Sequence, residues 1–126
     1  MAIQTNLKAT KIDMTDALEE YLAKRVRKLD QFVDDEDTSA IADIELAKVL
    51  GDQRSGDIYR AEINLHISGA YLYAASEKDD LRAAIDAVKD QMVREIKEEK
   101  EKKETLMRKG ARKMKQMLRN IYSSKE

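Results

Sequence analysis

From Ile3 to Ala9 the chain alternates, with Ile3, Thr5, Leu7 and Ala9 on one side and Gln4, Asn6 and Lys8 on the other. A period of two predicts a half-buried strand, because successive side chains of a strand leave opposite faces. The period then changes. Leu18, Leu22, Val26 and Leu29 recur at steps of four and three, the apolar stripe of a helix that ends near Phe32. Thr15 is suited to cap its start, and Asp16, Glu19 and Glu20 follow where carboxylates meet the positive end of the helix dipole. The acidic run Asp34-Asp35-Glu36-Asp37 predicts a solvated loop.

Alternation returns at Ala42–Lys48 and at Ile58–Ile67, where Ala61, Ile63, Leu65 and Ile67 interleave with Arg60, Glu62, Asn64 and His66. Gly51 to Gly56 supplies a flexible loop between these strands. Ser68-Gly69-Ala70 turns the chain into a last strand, Tyr71–Ala75. Ser76, with Asp79 three residues on, resembles a capping box with a short acid and predicts the start of a second helix. Leu81, Ile85, Val88, Met92 and Ile96 form the stripe of that helix.

Residues 97–104 are almost entirely charged, so the helix is expected to run past the body into solvent. Met107, Ala111, Met114, Leu118 and Ile121 resume helical spacing across Gly110. This predicts a separate basic amphipathic helix, or a tail that orders on binding. The order β-α-β-β-β-α with both helices on one sheet face is a two-layer α+β sandwich. We therefore divide the chain into an α+β domain, residues 1–104, and a basic tail, residues 105–126.

Composition narrows the chemistry. The 126 residues contain no cysteine and one histidine, which removes thiolate nucleophiles, disulfides and zinc–cysteine sites. No apolar run approaches a membrane span and the N-terminus lacks signal-peptide blocks, so a cytoplasmic protein without a membrane partner is expected. His66 sits on the polar side of a strand with no nucleophile elbow or phosphate loop elsewhere. We expect no catalytic residues, metal, cofactor or small-molecule substrate.

Charge is more telling in its distribution than in its sum of −1. Residues 1–105 carry 17 basic and 24 acidic side chains, whereas residues 106–126 carry 7 and 1. A basic tail on an acidic body suggests a polyanionic partner. On the first helix Lys24, Arg25, Arg27 and Lys28 are crowded together, with Arg25 almost in line with the apolar stripe. That guanidinium either snorkels out along its stem or faces a phosphate. On the second helix Arg82, Lys89 and Lys100 share a flank, Lys97 lies further round and Arg94 is on the opposite side. Asp86, Asp90, Glu101 and Glu104 would weaken the field of that flank. Tyr71 and Tyr73 face the polar side, where cross-strand packing competes with stacking on bases.

Two segments then carry a resemblance. The first is Met14-Thr15-Asp16-Ala17-Leu18-Glu19-Glu20-Tyr21-Leu22, leading into Arg25-x-x-Lys28-Leu29-Asp30-Gln31-Phe32. The second is Tyr73-Ala74-Ala75-Ser76-Glu77-x-x-Asp80-Leu81-x-Ala83-Ala84-Ile85-Asp86. Together they resemble the ribosome hibernation-promoting factor family, which includes ribosome-associated inhibitor A and was formerly labelled sigma-54 modulation protein. The resemblance spans about residues 3–103.

It implies a fold like double-stranded RNA-binding domains and binding to the decoding region of the small ribosomal subunit. There the family occupies the messenger path and the A and P sites and blocks translation during stress or stationary phase. Carried over by position, the implied rRNA contacts are Arg25, Lys28, Arg94, Lys100 and Lys102, and the helix flanks add Lys24, Arg82, Lys89 and Lys97 as candidates. In the tail, Arg108, Lys109, Arg112, Lys113 and Lys115 are candidates for RNA binding. Gln91 and Glu98 stand where relatives usually carry basic residues, so the tail is expected to compensate. Lacking the C-terminal domain of long members, the chain is expected to act as a short form, monomeric off the ribosome and holding single ribosomes idle. A protein-interaction adaptor that uses its charged helices without RNA is the alternative.

Overall fold

The computed structural model describes residues 3–33, 39–49 and 56–123. The acidic run Asp34–Asp37 and the loop residues 51–55 lie outside the described residues. The elements are β1 (Gln4–Thr10), α1 (Asp16–Asp30), β2 (Ile41–Val49), β3 (Ile58–Ile67), β4 (Ala70–Lys78) and α2 (Leu81–Ser123). The strands form one sheet in the order β1-β2-β3-β4, with β1 parallel to β2 and the other pairs antiparallel.

Register gives the sheet two unlike faces. Leu7, Ile44, Ile63 and Ala74 stand in one row, and Thr5, Ala42, Leu65 and Leu72 in the next. From β2 to β4 these side chains are buried in one cluster with Leu18, Leu22 and Leu29 of α1 and Ile85, Val88, Met92 and Ile96 of α2. Both helices thus cover the same face, as the two-layer reading requires. Burying a side chain of this size contributes on the order of 1.5–3 kcal/mol, so this row pattern is the main drive for the fold. At the edge, β1 is left open and its Leu7 is 39% exposed.

The other face carries Asp43, Glu45, Arg60, Glu62, Tyr71 and Tyr73. Glu45 pairs in register with Glu62, a like-charge contact that costs stability unless cations neutralise it. Arg60 supplies one such cation, with Nε 2.7 Å from Glu62 Oε1 and Nη1 3.1 Å from Glu77 Oε1. Its Nη2 also donates to the Tyr73 hydroxyl at 3.1 Å. These carboxylates hold the Arg60 guanidinium even more firmly protonated, the Glu62 bond contributing most.

Helix starts follow local chemistry. The Thr15 hydroxyl accepts from Leu18 N at 3.1 Å, capping α1 as its sequence predicts. The expected cap of the second helix is corrected. Ser76 belongs to β4, opposite Ala61, and Asp80 does the capping, its Oδ2 accepting from Ala83 N at 3.3 Å. Tyr71–Ala75 was too short for the last strand because β3 is long enough to pair as far as Lys78. A two-residue turn, Ser68-Gly69, joins β3 to β4, and Gly69 takes the positive φ of 79° that such hairpin turns favour.

The expected break at Gly110 is also corrected, because α2 runs uninterrupted from Leu81 to Ser123. One glycine costs a helix only about 1 kcal/mol relative to alanine, and residues 97–109 are rich in Glu, Lys, Leu, Met and Arg, which favour helix. Residues Met1–Ile96 and Lys97–Glu126 form separate compact units. A Cβ added at Gly110 would meet nothing within 4 Å. Gly110→Ala should therefore raise helicity and stabilise the helix by about 0.5–1 kcal/mol, read as circular dichroism at 222 nm through a thermal melt. An unchanged or lowered signal would contradict a continuous helix at this point.

Candidate nucleic-acid interface

The helix layer brings most of the candidate contacts of Met1–Ile96 onto two elements. Lys24 and Lys28 are exposed on α1, as are Arg82 and Arg94 on α2, and Lys89 is half-buried. Lys24 is loosely paired with Glu20 at 3.6 Å and Lys89 is bridged to Asp90. Lys28 and Arg94 form no salt bridge with a described residue. In the second unit, Lys97, Lys100 and Lys102 are exposed on α2, and so are Arg108, Lys109, Arg112, Lys113 and Lys115.

Arg25 has a partner that neither of the two readings open from sequence named. It turns toward α2, and its Nε donates to Asp86 Oδ1 at 2.7 Å, a length typical of charge-assisted bonds. The Tyr21 hydroxyl donates to the other oxygen, Oδ2, also at 2.7 Å. The guanidinium carbons of Arg25 and Arg82 lie 4.2 and 4.9 Å from the centre of the Tyr21 ring, within cation–π range. Asp86 is therefore the hub of a clamp between α1 and α2, not merely a drain on the basic field. Sequence reading missed this because Tyr21 and Asp86 are 65 positions apart. The only local hint is the four-residue step from Tyr21 to Arg25.

The clamp leaves electrostatic marks on its members. Burial pushes the Asp86 carboxyl up, but the bonds from Arg25 and Tyr21, with the charges of Arg25 and Lys89, outweigh it and leave the group below its usual 3.8. The bond to Asp86, aided by burial, raises the Tyr21 hydroxyl, with Arg25 acting in the opposite direction. The same Asp86 bond raises Arg25 against the effect of desolvation. Arg25 and Arg82 thus meet at the Tyr21 ring, and Asp86 answers the charge of Arg25 directly.

Little else is chemically poised. His66 Nε2 is 3.7 Å from Asp43 Oδ2, and its ring packs edge-on against Tyr71 with centroids 4.5 Å apart. Tyr71 thus packs across the strands on His66, and the Tyr73 hydroxyl bonds to Arg60 and Glu62. Among the described residues no cluster of His, Asp and Glu could hold a metal ion, and no helix is long and apolar enough to cross a membrane.

A depressed carboxyl binds fewer protons in the folded than in the unfolded state, so its stabilisation is present above 3.8 and fades as pH falls through the lower folded value. Asp86→Asn should lower stability at neutral pH and flatten the acid end of the stability–pH curve, followed by urea denaturation between about pH 6 and 2. A variant with the same acid slope as the parent would remove Asp86 from the clamp.

Known proteins give this geometry a context. The family model described as "Sigma 54 modulation protein / S30EA ribosomal protein" matches residues 5–104. A relative from Azotobacter vinelandii named "Ribosome hibernation promoting factor" is 30% identical over 100 residues, covering 79% of this chain and 85% of the relative. Its namesake from Escherichia coli (strain K12) is 26% identical, covering 79% and 96%. The solved structure of the Thermus thermophilus Protein Y N-terminal domain aligns with a TM-score of 0.62 at 27% identity, over 78% of this chain and 98% of that one. With both sequence and fold matched over most of its length, the chain belongs to the Sigma 54 modulation protein / S30EA ribosomal protein family.

Proposed function

We propose that this protein binds the small ribosomal subunit in the decoding channel, at the messenger and A- and P-site tRNA positions, and keeps the ribosome inactive by occlusion. Its relatives bear the name "Ribosome hibernation promoting factor", which supports a ribosome partner. The observation that carries the reading is the sorting of charge between the two layers. On the sheet face, Arg60 is consumed by Glu62 and Glu77. In the helix layer, Lys28 of α1 and Arg94 of α2 are exposed without a salt bridge to a described residue, and Lys24 and Arg82 are exposed as well.

Cations that are not neutralised within the protein can displace counterions from a phosphate backbone. A carboxylate-rich sheet face cannot. Arg25 would then act partly by position, since its Nε is committed to Asp86 and the clamp fixes where the neighbouring cations stand. The exposed Lys97, Lys100 and Lys102, with Arg108, Lys109, Arg112, Lys113 and Lys115, would add phosphate contacts of their own. The work expected of the protein is steric, so it calls for no catalytic group. Its place is the cytoplasm, in cells under stress or in stationary phase.

Co-sedimentation with vacant bacterial ribosomes tests this directly. Binding should weaken steeply with salt and yield to added messenger and initiator tRNA. Lys28→Glu with Arg94→Glu should weaken it by about tenfold or more and reduce the salt slope by about one unit per lost contact. Absence of binding at low salt would refute the reading and bring forward the adaptor. Binding that the competitors leave intact would move the site out of the decoding channel.

A second outcome concerns the tail. Neutralising Arg108, Arg112 and Lys115 to Gln should weaken ribosome binding several-fold if the tail compensates for Gln91 and Glu98 on α2. Unchanged affinity in the same assay would end that idea. Sucrose gradients of the complex should show single ribosomes, and a dimer peak raised by this protein alone would contradict that expectation.

A further inference from the structure

The C-terminal stretch of α2 has a second face that phosphate binding leaves unused. At about 100° per residue, Met114, Met107 and Leu118 fall side by side, with Leu106 and Met117 on one margin and Tyr122 on the other. With Gly110, Ala111 and Ile121 they fill an arc of about 160° that contains no charge. Met107 is 74% exposed, Met114 65% and Leu118 50%. Six cations, from Arg108 to Arg119, occupy the remaining arc, and residues 105–122 contain no acid.

We propose that residues 106–122 form an interfacial helix that docks its apolar face on an anionic lipid bilayer. Three kinds of occupant compete for the face, and charge and width separate them. RNA offers phosphates to the cationic arc but nothing apolar broad enough for the opposite one. A second copy would bring an identical cationic face without acids, so the pair would repel. The arc is also wider than the narrow seam that one helix buries against another. An anionic bilayer provides acyl chains below and negative headgroups beside the helix in one plane. Lys113 and Lys115 flank the apolar arc, where their stems can lie along the interface while the ammonium groups reach the headgroups.

The expectation of no membrane partner rested on the lack of a spanning segment. A helix lying in the interface needs none. The apolar face is distinct from the RNA candidates, although Lys113 and Lys115 border both, and its docking does not depend on ribosome binding.

The test is flotation of the full chain with vesicles of phosphatidylcholine alone, and with vesicles in which about a third of the lipid is phosphatidylglycerol. The anionic vesicles should bind at least about tenfold more tightly. Met114→Gln with Leu118→Gln, which leaves charge unchanged, should weaken that binding by about tenfold or more, whereas Met114→Leu should preserve it. Circular dichroism of each variant keeps loss of helix distinct from loss of docking. Failure to float with anionic vesicles overturns the proposal. So does undiminished binding of the double Gln variant, which would mean surface attraction by charge alone. Self-association in sedimentation that the double Gln variant abolishes, without flotation, assigns the face to a second copy and overturns it too. Ribosome co-sedimentation of the same samples shows separately whether the proposed function holds.

Discussion

A four-stranded sheet with one apolar face must bury that face, and in this protein the cover is a pair of helices rather than a second sheet. The choice has consequences for every charged residue. Each helix presents a narrow stripe inward, Leu18 to Leu29 on one and Ile85 to Ile96 on the other, so most of its circumference stays in water. Polar residues excluded from the core gather on the outer helix surfaces and on the back of the sheet. These two outer surfaces differ in kind. In-register strands hold Glu45 against Glu62 and place Arg60 close by, so the sheet's cation is spent on its own carboxylates. The helices carry cations such as Lys28 and Arg94 that no described carboxylate neutralises.

The helices also have to be held at a set distance, because apolar contact is tolerant of sliding. The Tyr21–Arg25–Asp86–Arg82 clamp adds direction, since a carboxylate that accepts two 2.7 Å bonds has few acceptable positions. Burial would favour a neutral Asp86, and its partners keep it ionised. Packing and electrostatics are thus coupled at one residue. The same contact that orients α1 against α2 also sets the spacing of the exposed basic side chains on either helix.

Much of this was legible in the chain, and the reasons for success and failure are physical. Alternation in β3 and the four-and-three steps in α1 and α2 are strong signals because they arise from burial, so layer order and core residues followed. Thr15 as a cap followed from its position before an acidic first turn. The choice of Ser76 over Asp80 failed because both precede an apolar stripe, and only strand pairing to Lys78 separates them. Gly110 misled because a single glycine weakens a helix without breaking it. The role of Asp86 was beyond reach, since a bond to a residue 61 positions away leaves no periodic trace. Arg25 was noticed for the right reason, its position beside the stripe, although its partner is an aspartate.

That last case bears on how basic residues in this family should be weighed. A cation near a core stripe is conspicuous in sequence because burying it unpaired would be costly. For the same reason, the fold tends to supply it with an internal partner, and the conspicuous residue is then the less available one. Lys28, a step away on the outer surface, has no such history and is the freer charge. Residues 106–122 contain six cations and no carboxylate, and Met107, Met114 and Leu118 stand exposed on the other side of the same helix. Its two unlike faces call for a surface that is apolar and anionic at once.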